Sequence, residues 1–161
     1  MKLFLISDNH FFHKNIIKYC DRPFKSVIEM NNEMIKKWNN KVSKNDIVIH
    51  LGDFALTDEK RIIELRKKLN GNIILIEGNH DWRLKESYGF IIIKGNMQIG
   101  NIILSHRPLP LEELPKGFIN IFGHIHQRDV LDNKRQINLS VEKINYEPIE
   151  LSDIYNNAFF I

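Results

Sequence analysis

Five short polar fragments, each set directly after an apolar run, constrain this chain more than any other feature. They are Asp8-Asn9-His10, Gly52-Asp53, Gly78-Asn79-His80-Asp81, Ser105-His106 and Gly123-His124-Ile125-His126. The runs before them, Leu3 to Ile6, Ile47 to Leu51, Ile73 to Ile76, Ile102 to Leu104 and Ile119 to Phe122, are short, continuous and apolar. Such runs read as buried strands. Each fragment therefore stands where a buried strand gives way to a loop. Open α/β sheets gather their ligands at the carboxyl ends of strands. The fragments also hold five of the seven histidines. One polar, metal-binding site on an apolar scaffold is the expectation.

Two helices are expected between the early strands. Ser26 and Glu29 stand at capping-box spacing, and Val27, Met30, Met34, Ile35 and Trp38 recur on one face. The second helix opens with Asp58 and Glu59, carries Lys67 and Lys68 near its end and stops at Gly71. Ile62, Leu65 and Leu69 form its apolar stripe. Strand, helix, strand, helix, strand predicts βαβ units and a parallel sheet. After Asp81 the texture changes: Ile91 to Lys94, Met97 to Ile99 and Ile102 to Leu104 are closely spaced, with Gly95-Asn96 and Gly100-Asn101 as hairpin turns. Ile119 to Phe122, Arg135 to Val141 and a short helix from about Ser152 complete the chain. The second half is expected to be mostly antiparallel strands. The fold class is therefore α/β: two mixed sheets face to face with helices on both outer faces, a four-layer α/β/β/α sandwich forming one domain over residues 1–161.

The bulk numbers narrow the function classes. The chain has 161 residues, 43% hydrophobic and 27% charged, with a net charge of +3. That balance suits an anionic substrate and is weak for a nucleic-acid binder. The single cysteine, Cys20, excludes an internal disulfide and a multi-cysteine zinc site, and fits a reducing cytoplasm. The apolar start reaches Ser7 and Asp8 too soon for a signal-peptide core. No run approaches the roughly 20 apolar residues of a membrane span. A soluble cytoplasmic protein with no membrane partner is expected, its oligomeric state left open.

Asp8, His10, Asp53, Asn79, His106, His124 and His126 offer carboxylate, amide and imidazole groups and no thiolate. Such ligands suit Mn²⁺ first, with Fe, Zn²⁺, Co²⁺ and Ni²⁺ as alternatives. Seven are too many for one tetrahedral ion but serve two divalent ions if a carboxylate bridges them, and Asp53 is the natural bridge. Two such ions held by two carboxylates keep surplus positive charge for a phosphate. Paired ions also clamp the entering and leaving oxygens of an in-line displacement. This charge balance points to phosphoester hydrolysis. His80 follows Asn79 directly and is the expected general acid, with Asp81 expected to hold or polarise its imidazole. Arg107 and Arg22 are candidate phosphate-holding groups. His13 either touches substrate or opens the short helix near Asn15. His50, inside an apolar strand, reads as a hydrogen-bonded core histidine.

In this order, D-x-H, G-D, G-N-H-D, a lone H and G-H-x-H, the fragments closely resemble the calcineurin-like metallophosphoesterase superfamily. The stretch Phe11 to Phe24 also resembles small bacterial and phage-type members. The resemblance implies the same α/β/β/α sandwich. It implies one ion on Asp8, His10, Asp53 and His126, and another on Asp53, Asn79, His106 and His124. The implied activity is hydrolysis of phosphodiesters, and of phosphomonoesters besides, by a metal-bridging hydroxide. The substrate would be a small phosphoester or nucleotide. A catalytically silent scaffold of the same fold is the rival reading, opposed by the complete ligand set. A small nuclease or cyclic-nucleotide phosphodiesterase keeps the chemistry with another substrate.

Overall fold

The structure, a computed structural model, describes residues 1–130 and 134–156. Four parallel strands form most of the first sheet: β1 (Leu3–Ile6), β2 (Ile47–His50), β3 (Asn72–Ile76) and β4 (Phe90–Ile93). The second sheet contains β5 (Met97–Ile99), β6 (Ile102–Leu104), β7 (Ile119–Phe122) and β8 (Gln136–Asn138). A short β9 (Ile149–Glu150) pairs antiparallel with β1, so the orders are β4-β3-β2-β1-β9 and β5-β6-β7-β8.

Alternation along each strand sorts the side chains between two cores. Phe4, Ile6, Val48, Ile73 and Leu75 face the helices, where α2 (Val27–Lys41) contributes Met30, Met34 and Trp38, and α3 (Glu59–Lys68) contributes Ile62 and Leu65. Leu5, Ile49, Leu51 and Ile76 point the other way and meet Ile102, Leu104 and Ile121 of the second sheet. A loop after β6 lies against that second sheet. Buried Asn120 accepts from Leu109 N–H at 2.8 Å, and Gln136 donates to Leu109 O at 2.5 Å. The covering loop contains one 3-10 turn, Leu111–Glu113.

Three expectations are corrected. The Gly95-Asn96 step is not a hairpin turn: β4 runs parallel to β3 in the first sheet, and the chain crosses there into the second. The second sheet is mostly parallel, since β6, β7 and β8 share a direction and only β5 opposes its neighbour. Gly100-Asn101 does join an antiparallel pair. The strand expected over Arg135 to Val141 is trimmed to β8, because Ser140 leaves the sheet to bridge Ser7 of the first. Short helices α1 (Ile16–Tyr19) and α4 (Leu151–Asn156) and a 3-10 turn, Glu86–Tyr88, complete the described elements. No described helix is long and apolar enough to cross a membrane.

Trp38 is fully buried and donates its indole N–H to Asn70 O at 2.9 Å. Trp38→Ala should lower the unfolding free energy by about 3–5 kcal/mol, the usual cost of emptying a core aromatic site. Urea unfolding followed by circular dichroism measures it.

Candidate metal centre

The carboxyl ends of β1, β2, β3, β6 and β7 meet at one edge of the sandwich, and the loops leaving them interlock. Asp8 N–H donates to Gly52 O and His10 N–H to Asp53 O, both at 3.0 Å, while Gly123 N–H donates to His106 O at 3.1 Å. These approaches require bare backbone. A Cβ on Gly78 would run into Asp53 N and Oδ1, and one on Gly123 into Ser7 Oγ and Asp8 Oδ2. The loops also bend tightly. Asp8, His10, Asp53, His124 and His126 all lie in the left-handed region, with φ of 59°, 49°, 57°, 70° and 53°. Left-handed backbone costs a non-glycine residue of order 1–3 kcal/mol and persists where surrounding structure over-determines it.

The bent loops bring ligand atoms together in two triads. Asp8, His10 and His126 lie within 4.8 Å of one another, as do Asp53, His106 and His124. Asp53 joins them: its Oδ2 is 3.4 Å from His10 Nε2 and 3.5 Å from His106 Nε2. Asn79 Oδ1 lies 3.0 Å from His106 Nε2. All seven candidate ligands thus share one site.

The polar atoms there suit cations. His106 Nδ1 is 2.8 Å from Leu51 O, and a carbonyl only accepts, so the proton sits on Nδ1. Nε2, on the other side of the ring, faces two more acceptors, Asn79 Oδ1 and Asp53 Oδ2. Asp8 Oδ1 and both ring nitrogens of His10 are buried without a hydrogen-bond partner. The other Asp8 oxygen accepts from His124 N–H at 2.8 Å and Ser140 Oγ–H at 2.9 Å. Burial drives the His10 pKa far down and the His124 pKa to about 4, keeping both rings neutral with lone pairs available. Burial also pushes the Asp8 carboxyl up, against the pull of His106 and His126. Buried acceptors that face one another repel, and divalent ions would satisfy them together. Asp8, His10 and His126 could hold one ion with Asp53, which is shared with a second on Asn79, His106 and His124. At His126 burial is outweighed by Cys20 and Glu142, which raise it to about 10, so an ion bound at the first triad would have to displace a proton there.

His80 stands beside the triads without belonging to either. Its backbone N–H donates to Asp53 Oδ1 at 2.9 Å, and its ring lies 5.3 Å from that of His10 and 6.4 Å from that of His13. His10, His13, Asp53 and His80 line one cleft of about 320 Å³. His13 therefore faces the site, three residues before α1 begins. Arg107 is exposed on a neighbouring cleft with Asn79 and His106. A larger cavity of about 650 Å³ lies away from the site, against Ile137, Ile144 and Ile149.

Two assigned roles change. Asp81 does not polarise His80. Its carboxylate accepts from the backbone N–H groups of Asp53, Phe54 and Gly78 at 2.7, 2.8 and 2.9 Å. Burial outweighs these bonds and raises it to about 6. Arg22 does not reach toward a phosphate. It is buried beneath the first triad, donating to Asp8 O and Asn9 O, both at 2.8 Å, and pairing with Glu142 at 2.7 Å. Glu142 itself went unread in the sequence, although its Oε1 lies 3.1 Å from His126 Nδ1. It stands 16 residues beyond His126 in a loop without a motif, so no spacing rule points to it. His50 is a core histidine: Asn9 Oδ1 is 2.8 Å from its Nε2, and burial lowers it to about 3.

The sequence pattern of calcineurin-like phosphoesterases matches residues 1–157. The chain belongs to the calcineurin-like phosphoesterase family. An uncharacterised protein of Methanocaldococcus jannaschii is 43% identical over 159 residues, covering 93% of this chain and 87% of that protein. The crystal structure of a protein of unknown function from Aquifex aeolicus superposes with a TM-score of 0.76 at 28% identity, covering 96% of this chain and 98% of that one. A solved archaeal phosphodiesterase, at a TM-score of 0.44 and 23% identity over 94% of this chain and 99% of its own, is too slight a likeness to weigh. As a calcineurin-like phosphoesterase with candidate ligand clusters at its strand ends, the chain is of a metal-dependent hydrolase family.

In this phosphoesterase the Asp81 bonds should govern metal affinity from outside the ligand set. Asp81→Asn keeps the shape but turns an NH2 group toward backbone N–H donors. Mn²⁺ binding by calorimetry should weaken about 10–100-fold, as when partners of metal ligands are lost, with secondary structure retained.

Proposed function

We propose that this protein hydrolyses phosphodiesters, and phosphomonoesters besides, at a two-metal centre with His80 as general acid. The observation that carries this reading is the pair of ligand triads joined through Asp53, with a further histidine beside them and outside both. Mn²⁺ is the leading choice for both ions, with Fe, Zn²⁺, Co²⁺ and Ni²⁺ as alternatives of similar ligand preference. When bound, two such ions supply Lewis acidity and an ionised water near neutral pH, and hold both oxygens of an in-line displacement.

The chain's own groups do the rest. Asp8 and Asp53 are the two carboxylates in a set otherwise neutral, so the site retains positive charge to attract a phosphate. The His80 backbone bond to Asp53 Oδ1 ties the acid's position to the bridging carboxylate. From there its imidazolium protonates the departing alkoxide. An alkyl ester oxygen needs that proton in order to leave, from a diester or a monoester, so this route serves both. The partner is a small phosphoester or nucleotide.

The test is hydrolysis of bis-(p-nitrophenyl) phosphate with Mn²⁺. Chelation by EDTA should abolish it. His80→Ala should lower kcat by about 10²–10⁴-fold on a diester with an alkoxide leaving group, and far less on bis-(p-nitrophenyl) phosphate, whose nitrophenolate leaves without a proton, while about two ions per chain remain bound. Inactivity toward diesters, monoesters and nucleotides with every divalent ion supplied removes the reading.

A further inference from the structure

Beside the metal centre, on its Asn79–His106 side, lies a cleft of about 470 Å³ that the proposed reaction does not use. Its walls include Trp82, Asn96 and Arg107, with Glu77 and Leu109 beside them. Its volume is within the ~300–1,000 Å³ usual for small-molecule sites. Trp82 is 67% exposed, whereas the chain's other tryptophan, Trp38, is fully buried. The Arg83 guanidinium lies over the Trp82 ring, 4.4 Å from its centroid, so the exposed indole is braced. Its place follows from the chain. Asp81 is anchored inward on three backbone N–H groups, and the next residue is delivered to the rim.

We propose that this cleft is a nucleobase subsite. The substrate is a nucleotide phosphodiester whose base stacks on Trp82 while its phosphate lies at the metal centre. Every base has a π-face for an exposed indole, and an alkyl ester has none. Asn96 offers an amide donor and acceptor to a base edge, and Arg107 a guanidinium fork to phosphate oxygens. The other exposed aromatic nearby, Tyr19, is less suited. It borders the smaller cleft already lined by His10, His80 and His126, and its ring stands edge-on to His13 at 6.1 Å. This subsite rests on the phosphodiesterase reading for its substrate class.

Two measurements on the metal-loaded full chain test it. Adenosine 5′-monophosphate should quench tryptophan fluorescence and ribose 5-phosphate should not. Trp82→Phe should abolish the quench, since only buried Trp38 then remains. For turnover, kcat/KM for a dinucleoside monophosphate is divided by that for an alkyl diester, glycerophosphocholine. Trp82→Ala should reduce this ratio at least about fivefold, and Trp82→Phe should restore most of it. Equal quenching by the two monophosphates, or equal loss on both diesters in Trp82→Ala, overturns the subsite. The quench needs no turnover. An inactive protein that keeps a base-specific quench defeats the reaction and supports the subsite, whereas an active one without it defeats the subsite alone.

Discussion

Asp81 lends one carboxylate to three backbone N–H groups, those of Asp53, Phe54 and Gly78, drawn from the loops that follow β2 and β3. Each donor is deep in the molecule, where losing its partner would cost about 1–3 kcal/mol. The bonds hold Asp53 in its left-handed turn and so keep Oδ2 between His10 and His106. They also fix Gly78 against Asp53, an approach that leaves no room for a Cβ. Because His80 N–H in turn donates to Asp53 Oδ1, the carboxylate between the two triads and the candidate acid are positioned by the same knot.

Arg22 is the counterpart of Asp81 with the signs reversed. Where the anion gathers donors, the cation gathers acceptors, the carbonyls of Asp8 and Asn9 at the exit of β1. Glu142 balances its charge and, through the same Oε1, lies against His126 Nδ1. The first triad is thereby tied to a buried ion pair and the second to a buried carboxylate. Breaking a buried pair by removing one partner costs about 3–5 kcal/mol because the other charge is stranded. Five left-handed residues at about 1–3 kcal/mol each together exceed that, so the strain is held by several such contacts and not by one pair.

The difference between what was legible and what was not follows from how these residues work. Buried strands leave continuous apolar runs, so the five strand ends and their ligand fragments could be read one by one. α2 began where Ser26 announced it, its Oγ accepting from Glu29 N–H at 3.1 Å, but the Glu29 carboxylate takes Lys25 N–H rather than that of Ser26. Whether Gly95 reverses the chain or carries it across to another sheet is decided by which strand edge is open, and no local pattern records that. The roles of Asp81 and Arg22 were missed for a related reason. Their charges are visible in the sequence, but the backbone groups left for them to satisfy exist only once the loops have folded. Glu142 had neither motif nor spacing, only a meeting with Arg22 and His126 across the fold.

The fragment from Gly78 to Arg83 shows how selectivity and reaction geometry become mechanically joined. Asp81 N–H reaches back to Gly78 O at 3.3 Å and Leu84 N–H to Asp81 O at 2.7 Å, so the chain winds tightly and successive side chains leave in different directions. Asn79 meets His106 in the second triad, His80 enters the cleft beside His10, Asp81 turns into the core, and Trp82 emerges at the rim under Arg83. A change at exposed Trp82 touches one wall and leaves the winding intact. A change at buried Asp81 shifts ligand, acid and wall together. Variation in what such a site accepts can therefore accumulate at position 82 and beyond while position 81 is held by the backbone it serves.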